Sequence, residues 1–322
     1  MMANGRVADW LDRLPSVRGR YAFDVDLSRT VWFRAGGRAD VVFRPADIDD
    51  LAHFLAVRPA DLPVTVVGLG SNLLVRDGGV EGVVVRLRQG FRDMNVRWEG
   101  ERALVEVGAG ALDMNVARYC RDQGAGGLAF LSGIPGTIGG ALRMNAGAYG
   151  SEMSDVVVEA RALDAAGSLH VLGPDEMGLS YRHSSVPGDW IFVSAVLAGR
   201  REEPAQIAGQ METINAEREA SQPIRARTGG STFTNPAGHS AWELIDEAGC
   251  RGLSRGSARI SEQHCNFIVN TGGATASDIE GLGEEVRRRV EEKTGLSLDW
   301  EIRRIGRHRR WPPNEGGGED EA

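Results

Sequence analysis

The sequence predicts an α+β fold divided into two or three domains. Its 322 residues can bury more than one core. Short apolar runs of strand period alternate with segments of helical period. A change of composition begins near Pro204, a residue suited to the first turn of a helix, and marks a domain boundary there.

Taken in order, residues 1–20 read as a loosely attached N-terminal segment, followed by a first subdomain over 21–90. Between Val31 and Val85 the pattern is strand, helix, strand, strand. Asp47 can cap a helix that carries Ile48, Leu51 and Leu55 on one face, and Pro59 closes it. A second subdomain, 91–203, opens with a strand around Val105. A helix follows with Leu112, Val116 and Tyr119 at helical spacing, and 156–198 reads as strands around the Ala165-Ala166-Gly167 turn. The third unit, 204–306, starts with a helix bearing Ile207, Met211 and Ile214 and ending before Pro223. Ser240 to Glu243 has capping-box spacing and leads to Gly249. Thr275 to Asp278 starts a helix with Ile279, Leu282, Val286 and Val290 on its buried face, stopped by Gly295. The ending "LSLDWEIRRIG" alternates, placing Leu298, Trp300 and Ile302 on one face and Asp299, Glu301 and Arg303 on the other. The polar tail 307–322 reads as disordered.

Composition narrows the function classes. Hydrophobic residues at 42% and charged residues at 25% are near the soluble globular average. A net charge of −8 argues against a nucleic-acid partner, and Arg287, Arg288 and Arg289 read as one solvated helix face. Cys120, Cys250 and Cys265 are far apart and form no CxxC, so neither a disulfide framework nor a zinc site is indicated; a reducing cytoplasm fits. The histidines show no HExxH or paired spacing, so no metal is expected. No segment has the length of a membrane span and the N-terminus lacks a signal-peptide core, so no membrane insertion is expected. Nothing indicates an obligate protein partner.

Two glycine-rich stretches carry the functional signal. In "VVGLGSNLLVRDGG", Leu73 occupies the place of a third fingerprint glycine. The following Leu74 to Gly79 reads as strand and hairpin rather than helix, which excludes a Rossmann turn. Gly68, Gly70, Ser71 and Asn72 can still present backbone N–H groups to a phosphate. In "GIPGTIGGALRMNAGAYG", Thr137 to Met144 can form a short helix whose N-terminus attracts phosphate. Two such loops on neighbouring subdomains suit an extended dinucleotide with a flat ring system, of which FAD is an example.

The stretches "VVGLGSNLLVRDGGVEGVVVRL" and "SGIPGTIGGALRMNAGAYG", followed in order by "YRHS", "GGSTFTNP", "SEQHCNFIVN" and "WEIRRIG", resemble the UDP-N-acetylenolpyruvoylglucosamine reductases, also called UDP-N-acetylmuramate dehydrogenases. The resemblance runs from about Ser28 to Gly306, and the compact "YRHS" region is similar to the shorter type lacking an inserted tyrosine loop. It implies a two-subdomain FAD-binding fold of the vanillyl-alcohol-oxidase type with a C-terminal α/β substrate-binding domain. It also implies NADPH-dependent reduction of an enolpyruvyl ether on a UDP-sugar. The positions it assigns to FAD are Gly36, Gly37, Val67, Gly68, Gly70, Ser71, Asn72 and Leu73 from the first stretches. From the second they are Gly133, Ile134, Pro135, Gly136, Thr137, Gly139, Gly140, Asn145, Gly147 and Ala148. A covalent attachment would use a histidine in the first glycine loop; "GLGSNLL" has none, so noncovalent FAD is expected.

The implied reaction builds negative charge from an α carbon into a carboxylate and needs an acid beside that carbon. By this resemblance Arg182 holds the carboxylate, since a guanidinium stays charged and binds bidentately. Glu301, with a raised pKa, hydrogen-bonds the developing enolate. Ser231 donates the proton, and Gly229 and Gly230 let its backbone come close. Tyr181, Asn235, Gln263 and Asn266 match substrate contacts. Thr234 replaces a lysine often found there, which bears on the diphosphate contact, and Val31 replaces a common threonine. A flavin oxidase of the same fold and a sugar-nucleotide-binding regulator are the rival readings; the regulator predicts loss of Arg182, Ser231 or Glu301, and all are present.

Overall fold

The computed structural model describes residues 10–308. The first sheet has the order β1-β2-β5-β3, from β1 (Arg20–Asp26), β2 (Arg38–Arg44), β3 (Val64–Val66) and β5 (Val80–Val85), while β4 (Leu73–Val75) lies outside it. β5 runs parallel to both of its neighbours and β1 is antiparallel to β2. Alternation sends the apolar residues of the middle strands to both faces of the sheet. Val41, Phe43, Val83 and Val85 pack on the Ile48–Val57 helix side, and Val42, Val80 and Val84 pack on the other. Asp47 caps that helix as expected, accepting from the Asp50 N–H.

The 10–20 stretch is tied down rather than loose. Trp10 is buried in the core around Phe54, and the Asp50 carboxylate accepts from the backbone N–H groups of Arg18 (2.7 Å), Gly19 (2.9 Å) and Ala46 (2.9 Å). Leu11, Leu14 and Val17 pack against the same core, so the short apolar spacing from Trp10 onward is the sign of this anchoring.

The second sheet is antiparallel, in the order β12-β11-β13-β7-β6. Its strands are β6 (Met94–Glu99), β7 (Arg102–Gly108), β11 (Val157–Leu163), β12 (Leu169–Leu172) and β13 (Ile191–Arg201), with the short β8 (Ala125–Gly126) also on β13. The expected turn at Ala165–Gly167 joins β11 to β12, with Gly167 at φ +84°. The Asp113–Asp122 helix buries Asp113, Val116, Ala117 and Cys120. Leu112 is its cap residue and Tyr119 is half-buried, so the inward face is rotated from the expected one toward Ala117 and Cys120. A two-residue pair, β9 (Gly147–Ala148) and β10 (Ser151–Glu152), forms at the end of the second glycine stretch.

The Pro204–Ser221 helix corrects the expected boundary. Proline stands at its first turn, and Ile207, Met211 and Ile214 are buried as expected, but they join the core of the second subdomain. The third unit's own core comes from the Ala241–Glu247 and Ala276–Thr294 helices and a sheet in the order β14-β17-β16-β15. Those strands are β14 (Arg227–Ser231), β15 (Ser254–Arg255), β16 (Ala258–Ile260) and β17 (Phe267–Asn270). The Thr275–Asp278 capping box forms, and Gly295 closes the helix in the left-handed conformation. The Ser240–Glu243 box does not: the Asn235 side chain, not a Ser240–Glu243 exchange, accepts the Ala241 N–H at 2.9 Å.

The expected hairpin after the first glycine loop is absent. β4 pairs in parallel with β18 (Arg303–Ile305), in the register Leu73 to Arg303 and Val75 to Ile305. Gly79, at φ +74°, turns the chain against Arg38 instead, where a Cβ would lie 2.1 Å from the Arg38 carbonyl oxygen. The expected disorder after Gly306 falls, beyond His308, outside the described residues; Arg307 itself pairs with Asp40 at 3.4 Å. No helix among the described residues is long and apolar enough to cross a membrane.

The Asp50 anchor yields a test. Asp50→Ala leaves three backbone donors without their acceptor and should lower stability by about 3 kcal/mol, read by urea denaturation. Proteolysis near Arg18 should accelerate with it, and an unchanged midpoint would remove Asp50 from this role.

Candidate active site

A cavity of about 640 Å³ lies where the three units meet, lined by both glycine loops and by Arg182, Ser231 and Glu301. Its floor depends on missing side chains. A Cβ on Gly68 would sit 2.8 Å from the Thr137 hydroxyl oxygen, and one on Gly133 would sit 2.7 Å from the Tyr149 ring. Gly70 has φ +76°. Thr137 caps the Ile138–Arg143 helix by accepting from the Gly140 N–H. Polar backbone and small residues thus face a long concave space, the lining an extended phosphate-bearing ligand needs.

Gly68, Gly70, Ser71, Asn72, Leu73, Gly133, Ile134, Pro135, Gly136, Thr137, Gly140, Gly147 and Ala148 all line it. Five of the positions assigned to FAD do not. Gly36 and Gly37 give passage to the β4 turn, where their Cβ atoms would meet the carbonyl oxygens of Val75 (2.2 Å) and Asp77 (2.5 Å). Val67 is buried in the first core. Gly139 packs on Ala109, 3.1 Å from a Cβ. Asn145 is fully buried, accepts from the Ser154 N–H at 2.9 Å and donates to the Ser180 carbonyl at 3.1 Å. It thereby holds the turn that carries Arg182.

That turn is closed by reciprocal backbone hydrogen bonds between Ser180 and His183, with Arg182 at φ +53°. Its guanidinium donates from Nε to Glu301 Oε1 at 2.9 Å, and from Nη2 to the Gly147 carbonyl at 3.4 Å. The sequence places these two side chains in one site; their direct pairing is new. Glu301 does leave the core face of its segment, as the alternation predicts, but it is enclosed, with its side chain only 12% exposed. Burial raises its pKa, and this outweighs the lowering by Arg182. The Asn72 amide donates to the Glu301 carbonyl at 3.2 Å, tying the first glycine loop to the acid's backbone.

Ser231 ends β14, where the register with β17 shifts between Thr228 and Ser231. Gly230, at φ +83°, makes the bulge. Gly229 lies against Phe33, whose ring would be 2.5 Å from a Cβ. The bulge re-aims the strand end so that Ser231 joins the cavity lining.

The residues matched to substrate contacts stand apart from the cavity lining. Asn235 caps the Ala241–Glu247 helix, and its N–H donates to the Tyr181 hydroxyl at 3.4 Å. Gln263 donates to the Ala220 carbonyl at 3.1 Å. The Asn266 side chain accepts from the Phe233 N–H and donates to its carbonyl, at 2.9 and 2.8 Å. Tyr181 is exposed beside Arg182, its ring centroid 5.2 Å from the guanidinium carbon. Thr234 does line the cavity.

Sequence reasoning missed Arg143, Arg218 and Asp113. Arg143 and Arg218 line the cavity. Arg143 sits inside the second glycine stretch, which is the one signal for it. It donates to the carbonyls of Val186 (2.7 Å) and Pro187 (3.0 Å), and burial followed by Arg303 pushes its pKa down to about 10. Arg218, lowered by burial, lies in a polar helical run with no such signal. Asp113 is completely buried under the second loop, 2.7 Å from where a Gly136 Cβ would be, and neither carboxyl oxygen has a hydrogen-bond partner. Burial pushes its pKa well up.

Comparison with known proteins fits this geometry. Residues 39–173 match the FAD binding domain family, and residues 222–305 match the C-terminal domain of UDP-N-acetylenolpyruvoylglucosamine reductase. A curated reductase of that name from Paramagnetospirillum magneticum is 60% identical over 299 residues, 93% of this chain and 96% of that protein. The chain belongs to the UDP-N-acetylenolpyruvoylglucosamine reductase family. The Rhodospirillum rubrum relative of that name is 58% identical over 301 residues, 92% of this chain and 93% of its own. The crystal structure of the Thermus caldophilus UDP-N-acetylenolpyruvylglucosamine reductase superposes with a TM-score of 0.75 at 33% identity, covering 90% of this chain and 100% of that one. As a member of the family this chain is an FAD-dependent oxidoreductase, with the two-subdomain FAD-binding fold and an added C-terminal domain. The C-terminal match begins after the Pro204–Ser221 helix, in line with the packing of that helix on the second subdomain.

The buried Asp113 gives a pH test. Its folded-state pKa exceeds the unfolded one, so on raising the pH the unfolded chain loses the proton first, and stability falls. The window opens at about pH 4, the ordinary carboxyl value, and closes at the raised folded value. Asp113→Asn has no such proton, so its melting temperature relative to wild type should climb with pH through that window. Parallel pH curves would show an ionised Asp113.

Proposed function

We propose that this protein reduces UDP-N-acetylglucosamine enolpyruvate to UDP-N-acetylmuramate, with NADPH as the source of electrons. The observation that carries the reading is the convergence of Arg182, Glu301 and Ser231 on one cavity whose floor is two glycine loops. The cavity also fits noncovalent FAD: glycines of both loops line it with no side chains in the way, and the loop "GLGSNLL" offers no histidine for attachment.

FAD held along Gly68, Gly70, Gly136 and Thr137 would supply the hydride that the enolpyruvyl double bond accepts. Arg182 binds the substrate carboxylate, and the left-handed turn at Ser180–His183 holds its guanidinium in position before substrate arrives. Glu301 keeps a proton more readily than an exposed glutamate, and a second carboxylate beside it raises its pKa further. In that protonated form it donates a hydrogen bond to the carboxylate as charge flows into it. Ser231 gives its hydroxyl proton to the α carbon, which completes addition of hydride and proton across the double bond. Arg143 and Arg218, both lining the cavity, add positive charge that suits a diphosphate substrate in the absence of a lysine at Thr234.

Anaerobic NADPH should bleach the flavin of the purified holoprotein, and the enolpyruvyl substrate should restore its colour. Persistence of the reduced spectrum would refute the reductase assignment. Ser231→Ala should still be bleached by NADPH while reoxidation slows by about 10²- to 10⁴-fold, the range of general-acid contributions. Glu301→Gln keeps a hydrogen-bond donor and should retain more turnover than Glu301→Ala; equal rates would deny the glutamate this role.

A further inference from the structure

Trp300 precedes Glu301 and is only partly buried: it packs against the third unit's core and also lines the main cavity. Its ring is held on several sides. The indole N–H donates to Glu284 Oε1 at 2.8 Å, the Arg304 guanidinium carbon lies 4.5 Å from the ring centroid, and the Phe233 ring lies 5.2 Å away. The remaining side is the Ala276–Thr294 helix, where a Cβ on Gly283 would run into the indole. A glycine inside a helix costs about 1 kcal/mol relative to alanine, so the helix gives up some of its own stability to seat the ring. Arg304 donates to the same Glu284 oxygen at 2.8 Å. Gly283, Glu284 and Arg304 all stand outside the cavity lining.

Backbone hydrogen bonds tie the segment that carries Glu301 sideways. The Glu301 N–H donates to the Thr232 carbonyl and the Thr234 N–H to the Asp299 carbonyl, both at 2.9 Å, and Trp300 stands opposite Phe233 in this pairing. Such bonds lie in the plane of the pairing and resist separation along it. Displacement out of that plane, toward the cavity or away from it, is resisted only by what packs on the faces. Neighbouring side chains of an extended segment point to opposite faces, so a ring keyed to the helix on one face sets how far the Glu301 carboxyl stands out on the other.

We infer that Trp300 is a positioning residue for the proposed reduction: seated in the Gly283 notch and tied to Glu284, its indole holds the adjoining Glu301 carboxyl at the Arg182 guanidinium. The inference rests on the proposed function, in which Glu301 serves the transfer to substrate and not the reduction of flavin by NADPH.

The two half-reactions, measured separately on the holoprotein, test it. Glu284→Ala removes the acceptor without touching the cavity. Bleaching by saturating NADPH should stay within about twofold of wild type, while reoxidation by saturating enolpyruvyl substrate slows by about 10- to 100-fold, the range for a reacting group misplaced by about 1 Å. Trp300→Phe, which keeps a ring but loses the N–H, should slow the same step. Added to Glu284→Ala, it should cost no more than about a further twofold, because both changes break one hydrogen bond. Full multiplication of the two effects would overturn the inference. Equal slowing of both half-reactions would overturn it too, since the indole would then support the cavity in general. Should Glu284→Ala fail to fold, Gly283→Ala serves instead: alanine favours the helix and its methyl group displaces the ring, so reoxidation should slow selectively. Unchanged reoxidation in these variants, with a wild type that turns over, defeats this inference alone. Wild-type protein that is bleached but never reoxidised defeats the proposed reaction itself.

Discussion

The contact on which the site depends is the approach of Gly68 to Thr137. A Cβ on Gly68 would lie 2.8 Å from the Thr137 hydroxyl oxygen, so any side chain there would have to displace that hydroxyl. Because this hydroxyl also caps the Ile138–Arg143 helix, a shift of either subdomain would uncap the helix and widen the floor together. Core packing supplies the remaining stiffness: Val67 immediately before the first loop and Ile138 immediately after Thr137 are both fully enclosed. The loops are therefore held at both ends by rigid elements, which is the arrangement a preorganised site requires.

The third unit completes the cavity over this floor. Arg182 comes from the second subdomain and Glu301 from the third unit, where its N–H donates to the Thr232 carbonyl, so their ion pair bridges bodies with separate cores. Burial works against the ionised glutamate and the guanidinium works for it, with burial stronger. A further negative charge beside Glu301 would act in the same direction as its burial, toward the protonated form. Asn145, fully buried and bonded to both Ser154 and Ser180, transmits the position of the second glycine loop to Arg182.

Local signals in the sequence are faithful where local physics decides. Asp47, Thr275 with Asp278, Pro204 and Gly295 all take the helix-end roles that their side chains favour, and the glycine loops fall on one cavity. Tertiary competition explains the departures. Leu74 and Val75 could as well have paired with a following strand, but Arg303–Ile305, more than two hundred residues later, takes that edge. The apolar stripe of the Pro204–Ser221 helix states that it is buried and not against which core. Asn235 has turn chemistry, and the orphan N–H of a nearby helix claims its carbonyl oxygen. Asp113 was illegible for a different reason: an aspartate opening a helix usually faces water, and only the fold encloses it.

The parallel pairing of Leu73–Val75 with Arg303–Ile305 also bears on biosynthesis. The ribosome makes the first glycine loop well ahead of its partners, since the Glu301 carbonyl that receives the Asn72 amide lies 229 residues further along the chain. A nascent chain thus carries the loop without its flanking strand until that distant segment has been synthesised.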